Sequence, residues 1–356
     1  MKLFHSTMSL LNNHIIFENE PVRSALTKLN TLASDAILFV VNEEKKLIGS
    51  LTDGDLRRGF INNLDFNDSI LKFIQKNPVF ITRNNYTLSQ LDSYKKKNFK
   101  IIPILDEAGV IIDILNFRIQ QTIIPADALL MAGGKGKRLM PLTANTPKPL
   151  LKVGDKPIIE HNIDRLIQFG IKNINLSINY LGEQLEEYFG DGSAKNAKIS
   201  YVKEHKPLGT VGSVLLVEHF SHDDILIMNS DLLTNIDFAD FYTSFKEAGA
   251  DMAVAATSYH VDVPYAVLEV DGKYLATSLK EKPRYTYYSN AGIYFVRKSL
   301  LSMIPQDEFY NITDLMEAVL AANKKLITYP ITGYWLDIGK HEDYKQAQED
   351  IKHLNI

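Results

Sequence analysis

Between Met8 and Phe117 the apolar and polar positions write one pattern twice. Each copy has a β-rich start, a helical stretch, and two apolar strands around a polar turn. Copy one runs through Ile15-Ile16-Phe17, a helix from Val22 to Leu32, a strand from Ala36 to Val41 and a strand from Leu47 to Leu51. Copy two runs through Val79-Phe80-Ile81, a helix from Leu88 to Lys97, a strand from Lys100 to Leu105 and a strand from Val110 to Leu115. The paired strands are joined by Asn42-Glu43-Glu44-Lys45 and by Asp106-Glu107-Ala108-Gly109, both turn-prone.

After Pro125 the rhythm changes. Ala128-Leu129-Leu130-Met131-Ala132 is a short unbroken apolar run, the pattern of a strand buried on both faces of a parallel sheet. Ile159, Ile163, Leu166 and Ile167 recur at helical spacing in a segment that ends near Gly170, and Asn173 to Ile178 reads as the next strand. Strand, helix, strand is a βαβ unit, which places ligands at the carboxyl edge of a parallel sheet. A further helix starts around Tyr180 to Leu185. Strands follow at Ile199 to Val202 and Ile225 to Met228, and a polar amphipathic helix is expected from Glu342 to Ile356.

The glycines cluster where the first buried strand ends. Met131 to Leu151 reads MAGGKGKRLMPLTANTPKPLL. Gly133, Gly134 and Gly136 permit positive φ and close approach, so backbone N–H groups can turn toward an anion. Lys135, Lys137, Arg138 and Lys148 add fixed positive charge, the complement of a triphosphate. Arg138 stands where a Walker loop needs Ser or Thr, and Leu139 stands where a dinucleotide fingerprint needs its third glycine. The remaining alternatives are a nucleotide-phosphate grip and a plain glycine-rich surface loop.

Composition narrows the class. The 356 residues exceed what one core usually reaches, so two domains are expected, at 1–122 and 126–356. With 45% hydrophobic and 23% charged residues the chain is that of an ordinary globular protein. It has no cysteine, which removes disulfides and thiolate metal sites and fits a reducing, cytoplasmic setting. His5, Asn12, Asn13 and His14 make the first residues too polar for a signal core, and no apolar run is long enough to span a bilayer. The net charge of −4, with the acidic excess beyond Pro125, is no nucleic-acid footprint.

Five further strings carry candidate chemistry. Pro207-Leu208-Gly209-Thr210-Val211-Gly212-Ser213 is a glycine-bearing turn expected to lead into a helix. Asn229-Ser230-Asp231 puts a carboxylate at the carboxyl end of a strand, either as a cap or as a metal ligand. Leu279-Lys280-Glu281-Lys282-Pro283 and Ser289-Asn290-Ala291-Gly292-Ile293-Tyr294 follow, and Gly333-Tyr334-Trp335-Leu336-Asp337-Ile338-Gly339 lies near the end. In the first repeat, Thr52 and Asp55 form a Thr-x-x-Asp spacing before a helix. That spacing suits a capping box as well as a ligand site.

Together these strings resemble the signature of the sugar-1-phosphate nucleotidyltransferases: Ala-Gly-Gly-x-Gly-x-Arg-Leu, Pro-Leu-Thr, Pro-Lys-Pro-Leu, Asn-x-Asp, Glu-Lys-Pro, Asn-Ala-Gly-Ile-Tyr and Trp-x-Asp-x-Gly. Lys137 departs from it, since relatives usually carry a small hydroxyl residue there. The resemblance implies an α/β catalytic domain with a Rossmann-like, mixed, mostly parallel sheet. It implies nucleotide contacts from Ala132, Gly133, Gly134, Gly136, Lys137, Leu208, Gly209 and Thr210, and phosphate contacts from Arg138, Lys148 and Lys282. Sugar contacts are implied for Glu281, Asn290 and Gly292. Asp231 and Asp337 are implied as a metal pair, and an all-oxygen shell of two carboxylates and phosphates suits Mg2+ or Mn2+. Trp335 is read as packing that fixes Asp337.

The front repeat resembles a tandem CBS pair, the Bateman module, which often binds adenine nucleotides; there Thr52 and Asp55 would meet a ribose. The second copy has Asp113 and Asn116 in place of the pattern. The Leu-Gly-Thr wording is similar to that of members using GTP, and the domain order resembles the glucosamine-1-phosphate guanylyltransferases of legionaminic acid synthesis. A GDP-sugar synthase that is a regulated homo-oligomer is therefore expected, acting on glucosamine 1-phosphate first and on mannose- or heptose-type phosphates second. The alternatives are the same reaction with CTP, UTP or dTTP, and a nucleotide sensor without turnover.

Overall fold

A computed structural model describes residues 11–83 and 85–354 of the chain. Met8, where the first repeat was expected to begin, and the last two residues of the expected C-terminal helix lie outside them. The chain divides into two compact units. One runs to Ile124 and takes in Ile167–Lys172 and Asp191–Lys198; the other comprises Pro125–Leu166, Asn173–Gly190 and Ile199–Ile356.

In the first unit the repeat is realised as two three-stranded sheets of one design. Strand β1 (Ile15–Phe17), helix α1 (Val22–Leu32), β2 (Ile37–Val41) and β3 (Leu47–Thr52) are followed by helix α2 (Asp53–Ile61). The second copy is β4 (Ile81–Thr82), α3 (Leu88–Lys96), β5 (Ile101–Leu105) and β6 (Ile111–Asn116). In each copy the first strand runs parallel to the second, and the second antiparallel to the third. Val22, Ala25 and Leu29 form the buried stripe of α1. They close over Leu38, Val40 and Leu51, with Leu56 of α2 in the same cluster. Phe39 and Val41 pack with Ile101, Leu105 and Ile111, so one apolar cluster joins the two sheets.

The registers correct one expectation. Ile37 faces Thr52 in the first copy and Ile101 faces Asn116 in the second. Asn116 therefore takes the place of Thr52, and the place of Asp55 falls at Ile119, not at Asn116. Among the described residues no α-helix follows β6 as α2 follows β3.

The second unit is built on seven strands in the order β11-β10-β7-β12-β17-β14-β18. These are β7 (Asp127–Met131), β10 (Asn173–Ile178), β11 (Lys198–Lys203), β12 (Asp224–Asn229), β14 (Met252–Asp262), β17 (Arg284–Arg297) and β18 (Leu326–Pro330). Strands β10 and β12 flank β7 in parallel, β14 and β18 are parallel to each other, and β17 runs against both of its neighbours. The sheet is thus mixed and mostly parallel, as expected. Three small ladders complete it: β8 (Lys152–Val153) with β9 (Lys156–Pro157), β13 (Leu232–Thr234) with β19 (Trp335–Asp337), and β15 (Val267–Val270) with β16 (Ala276–Lys280).

Helices α4 (Ile158–Gln168), α5 (Gly182–Phe189), α6 (Phe238–Glu247), α7 (Ile312–Ala321) and α8 (His341–Asp350) supply the remaining layers. Leu129, Ile225, Ile227, Val254 and Val296 of the sheet pack with Ile312, Leu315 and Val319 of α7. Phe241 and Phe245 of α6 pack with Phe295 at ring-centroid distances of 4.9 and 5.8 Å. Strand β7, buried along Asp127 to Leu130, is central because it has nothing polar to offer solvent except at its ends. Among the described residues no helix is long and apolar enough to cross a membrane.

Candidate active site

The site begins where β7 and β12 end side by side, with Asn229 opposite Met131. Ser230 donates through Oγ to the carbonyl of Met131 at 2.7 Å, which pins the turn carrying Asp231 beside the glycine-rich loop. In that loop Gly136 has φ 59°. A Cβ on it would come within 2.9 Å of Thr143 Cγ2 and 3.1 Å of Lys148 Cβ, so only glycine fits without movement. The Thr143 hydroxyl donates to the Gly136 carbonyl at 2.9 Å. Nothing lies within 4 Å of a Cβ built on Gly134. Lys135 and Lys137 are exposed, whereas Ala132 is buried.

Lys148 is only 8% exposed and forms an ion pair with Asp231. Asp337 reaches the same place by a different route. In the β13–β19 ladder Leu232 faces Asp337, and the amide of Ile338 donates to the carbonyl of Asp231 at 3.1 Å. The structure therefore joins two aspartates that are about a hundred residues apart in sequence. Burial pushes the Asp337 carboxyl above the usual carboxylate range, and the neighbouring Asp231 carboxylate pushes the same way; Lys148 and Arg138 oppose both. Its buried Oδ1 has no hydrogen-bond partner among the described residues. A buried carboxylate oxygen without a donor, beside a second carboxylate, is costly unless a cation completes it. The Arg138 guanidinium lies over Gly339, 3.4 Å from where a Cβ there would stand.

Trp335 fixes this end of the site. Its Nε1 donates to the carbonyl of Ala291 at 2.8 Å, in agreement with a packing role. Gly292 has φ 74°, and a Cβ on it would come 2.6 Å from Asn229 Nδ2, so Gly292 sits directly against the end of β12. Asn290 Oδ1 accepts from the Gly292 amide at 2.9 Å and from the Tyr294 hydroxyl at 2.8 Å, which leaves the side-chain amide as its donor. Burial raises the Tyr294 hydroxyl to about 12, with the Asn290 bond opposing.

Other expected residues are placed differently. Gly209, at φ 78°, packs so closely that a Cβ would stand 2.4 Å from the carbonyl of Tyr310. The Thr210 hydroxyl accepts from the Ile312 amide at 2.8 Å, and the Leu208 side chain is buried at 3% exposure. This turn is thus clamped to the start of α7, and it leads into the expected helix, of 3-10 type, at Gly212–Leu216. Glu281 and Lys282 occupy the exposed turn between β16 and β17, with Lys282 at φ 41°.

Thr52 and Asp55 form a complete capping box at the start of α2. Asp55 Oδ2 accepts from the Thr52 amide at 2.8 Å and from its hydroxyl at 2.6 Å, while Oδ1 accepts from Arg58 at 2.5 Å. Of the two readings open in the sequence, the cap is the one the geometry displays.

Two acidic residues were not singled out in the sequence. Asp343 Oδ2 accepts from the amides of Gly339 and Lys340 at 3.1 and 2.9 Å, holding the turn after Asp337. Glu204 stands at the end of β11, against Gly133. The signal for Glu204 is its position as the one acid in Lys203-Glu204-His205-Lys206, just before the Leu-Gly-Thr turn.

Residues 127–353 match the nucleotidyl transferase family model. The chain belongs to that family. Residues 12–62 match the CBS domain model, which covers the first of the two repeats. Over 230 residues the chain is 30% identical to the mannose-1-phosphate guanylyltransferase of Mycobacterium tuberculosis, covering 63% of this chain and 64% of that one. It is 31% identical over 226 residues to the mannose-1-phosphate guanylyltransferase catalytic subunit beta of Dictyostelium discoideum, covering 61% and 62%. The aligned part thus spans less than two thirds of either relative. A Bacillus anthracis structure, a candidate glucose-1-phosphate thymidylyltransferase in complex with sucrose, aligns over 65% of this chain and 97% of its own. Its TM-score of 0.54 at 24% identity is a likeness of fold.

Proposed function

We propose that the chain makes a nucleotide-sugar by joining GTP to a sugar 1-phosphate with release of pyrophosphate, residues 126–356 forming the catalytic domain and 1–122 a regulatory one. The observation that carries this reading is the convergence of Lys148, Asp231 and the unpartnered Asp337 oxygen at the end of the glycine-rich loop. Guanine is supported by the relatives' names and by the Leu208-Gly209-Thr210 string. Glucosamine 1-phosphate is the first acceptor, on domain order, and legionaminic acid synthesis its setting; mannose 1-phosphate, named for the relatives, is second.

The reaction forms a bond from a sugar-phosphate oxygen to the α-phosphorus and breaks the bond from that phosphorus to pyrophosphate. The attacking oxygen is already ionised at neutral pH, so the protein needs no general base. Its work is to bring two polyanions together and to neutralise spreading charge. Arg138 bears on the triphosphate. Lys148 and Lys282 hold the incoming phosphate, and Lys148 also faces the α-phosphoryl group. The loop amides at Gly133, Gly134 and Gly136 turn toward the phosphates. Asp231 and Asp337 would hold Mg2+ or Mn2+, which supplies Lewis-acid neutralisation of phosphate oxygens. Two carboxylates suit such an ion, because nucleotide phosphates and water complete an oxygen shell. Glu281, Asn290 and Gly292 orient the sugar. A cytoplasmic homo-oligomer tuned by nucleotide at its CBS repeats completes the reading.

The test is pyrophosphate release with Mg2+, crossing GTP, CTP, UTP, dTTP and ATP against glucosamine-, mannose-, glucose- and N-acetylglucosamine-1-phosphate. Release with GTP and one of the first two sugars is the expected result. Release with another nucleotide keeps the reaction and removes guanine. No release from folded protein removes the transferase reading.

A further inference from the structure

Helix α4 carries an amide where its pattern calls for an apolar residue. Ile159, Ile163 and Leu166 are buried on its inward face, and Asn162, three residues after Ile159 and four before Leu166, lies on that face at 2% exposure. Asparagine is a poor helix former, and a buried amide is costly unless its donors are used. A leucine there would serve both the helix and the core better.

The partners of the amide explain its presence. Nδ2 donates to the carbonyl of Leu232 at 2.9 Å and to that of Ser230 at 3.4 Å; the carbonyl of Ile158, one turn back in α4, is farther off at 3.5 Å. Ser230 and Leu232 are the two neighbours of Asp231. The carbonyl between them, that of Asp231 itself, accepts from the Ile338 amide at 3.1 Å. Three successive carbonyls are thus held from outside the turn, the first and third by one side chain of α4 and the middle one by the residue after Asp337. Backbone torsions fixed in this way decide where the Asp231 carboxylate points. Leu232 is also the residue that faces Asp337 across the β13–β19 ladder. One buried amide therefore backs both halves of the aspartate pair. Arg165, three residues further along α4, donates to the carbonyl of Ile236, so the helix grips the same stretch again beyond β13.

We propose that Asn162 is a positioning residue for the metal site. It touches neither the ion nor a substrate, and it acts by holding Asp231 where one cation can bridge it to Asp337. The inference rests on the metal reading of that pair in the proposed function. Partners that orient a ligand in this manner set metal affinity by about 10- to 100-fold, because a carboxylate free to turn must be ordered again each time the ion binds.

The test reads metal binding, so it does not depend on turnover. Mn2+ is titrated into the full chain with GDP present, and the ternary complex is followed by water-proton relaxation, which separates protein-bound ion from Mn2+ on free GDP. GDP binding without metal is measured calorimetrically beside it. Asn162→Leu keeps the volume and removes both donors. It should weaken Mn2+ by about 10-fold or more while metal-free GDP binding stays close to wild type. Unchanged Mn2+ affinity would overturn the inference. So would equal weakening of Mn2+ and metal-free GDP, which would make Asn162 a support of the whole loop region and no more. If the leucine variant does not fold, Asn162→Ser, with one donor on a shorter side chain, replaces it and is judged by the same two readings. Asp231→Asn is run alongside. If it retains wild-type Mn2+ affinity, the ion sits elsewhere and the inference falls with the metal assignment. Mn2+ binding that depends on Asn162, in a chain that releases no pyrophosphate, would sustain the inference and remove the transferase reading.

Discussion

Asp55 and Asp337 are the same side chain in two opposite electrostatic conditions. Both stand in short motifs that carry a structural and a functional reading, and neither motif decides between them. In the structure Asp55 receives three hydrogen bonds, from the Thr52 amide, the Thr52 hydroxyl and Arg58, so both of its oxygens are engaged within one turn of helix. Asp337 keeps a buried oxygen without a donor and faces a second carboxylate. A carboxylate satisfied by its own chain serves the fold. One that the fold buries and leaves short of partners is held ready for something else, and its cost to stability is the sign of that.

The comparison can be broken at either end. The largest expected effect is on turnover: Asp231→Asn and Asp337→Asn each reduce pyrophosphate release by about 1,000-fold or more, since on the proposed reading each removes a carboxylate that would hold the metal ion. The circular dichroism spectrum should be unchanged, and near-normal rates in either variant would remove the metal assignment. A middle-sized effect is expected at the cap. Asp55→Ala strips partners from the Thr52 amide and from Arg58, and should cost about 1 kcal/mol of stability, read as a lower urea midpoint for the first unit. An unchanged midpoint would return Asp55 to the ligand reading.

The smallest effect has the opposite sign. Without metal, Asp337→Asn should raise the melting temperature at neutral pH, because it removes a charge that the folded state disfavours. The direction follows from linkage. A carboxyl with a raised folded pKa binds its proton more tightly when folded, so its penalty is absent well below the ordinary carboxylate range and grows as pH rises through it. The gain from Asn should therefore shrink as pH is lowered. A gain that does not depend on pH would show that packing, not charge, is responsible.

Much of this was legible in the chain because it depends on local pattern. The apolar run of β7, the glycines after it and the tandem repeat are periodicities or turn chemistry, and the structure returns them within a residue or two. Asp231 and Asp337 could be paired only through the resemblance. Nothing in spacing says that β13 and β19 will form a ladder. The same limit hid Glu204, which accepts from Ser177 on one side and from Leu208 on the other. The helix expected after Gly209 is present only as a short 3-10 helix, where Val211 and Gly212 both donate to the carbonyl of Tyr310, a tertiary contact that local propensity does not reveal. The grouping of Ile167–Lys172 and Asp191–Lys198 with the first unit is likewise a fact of space. The Thr-x-x-Asp spacing was ambiguous for a different reason: a cap and a ribose ask the same two groups for similar hydrogen bonds.

The two-stranded clasp of β13 and β19 has a consequence for how such a fold can change. Its three paired positions set Leu232 opposite Asp337, and side chains alternate faces along a strand. A slip of one residue would turn the second aspartate away from the first. The hundred or so residues between the clasped strands lie outside that ladder, and they carry β14 to β17 with Glu281, Lys282 and Asn290. On the proposed function, insertions and rebuilt loops there would change the sugar side of the site while the register that brings the two aspartates together is kept.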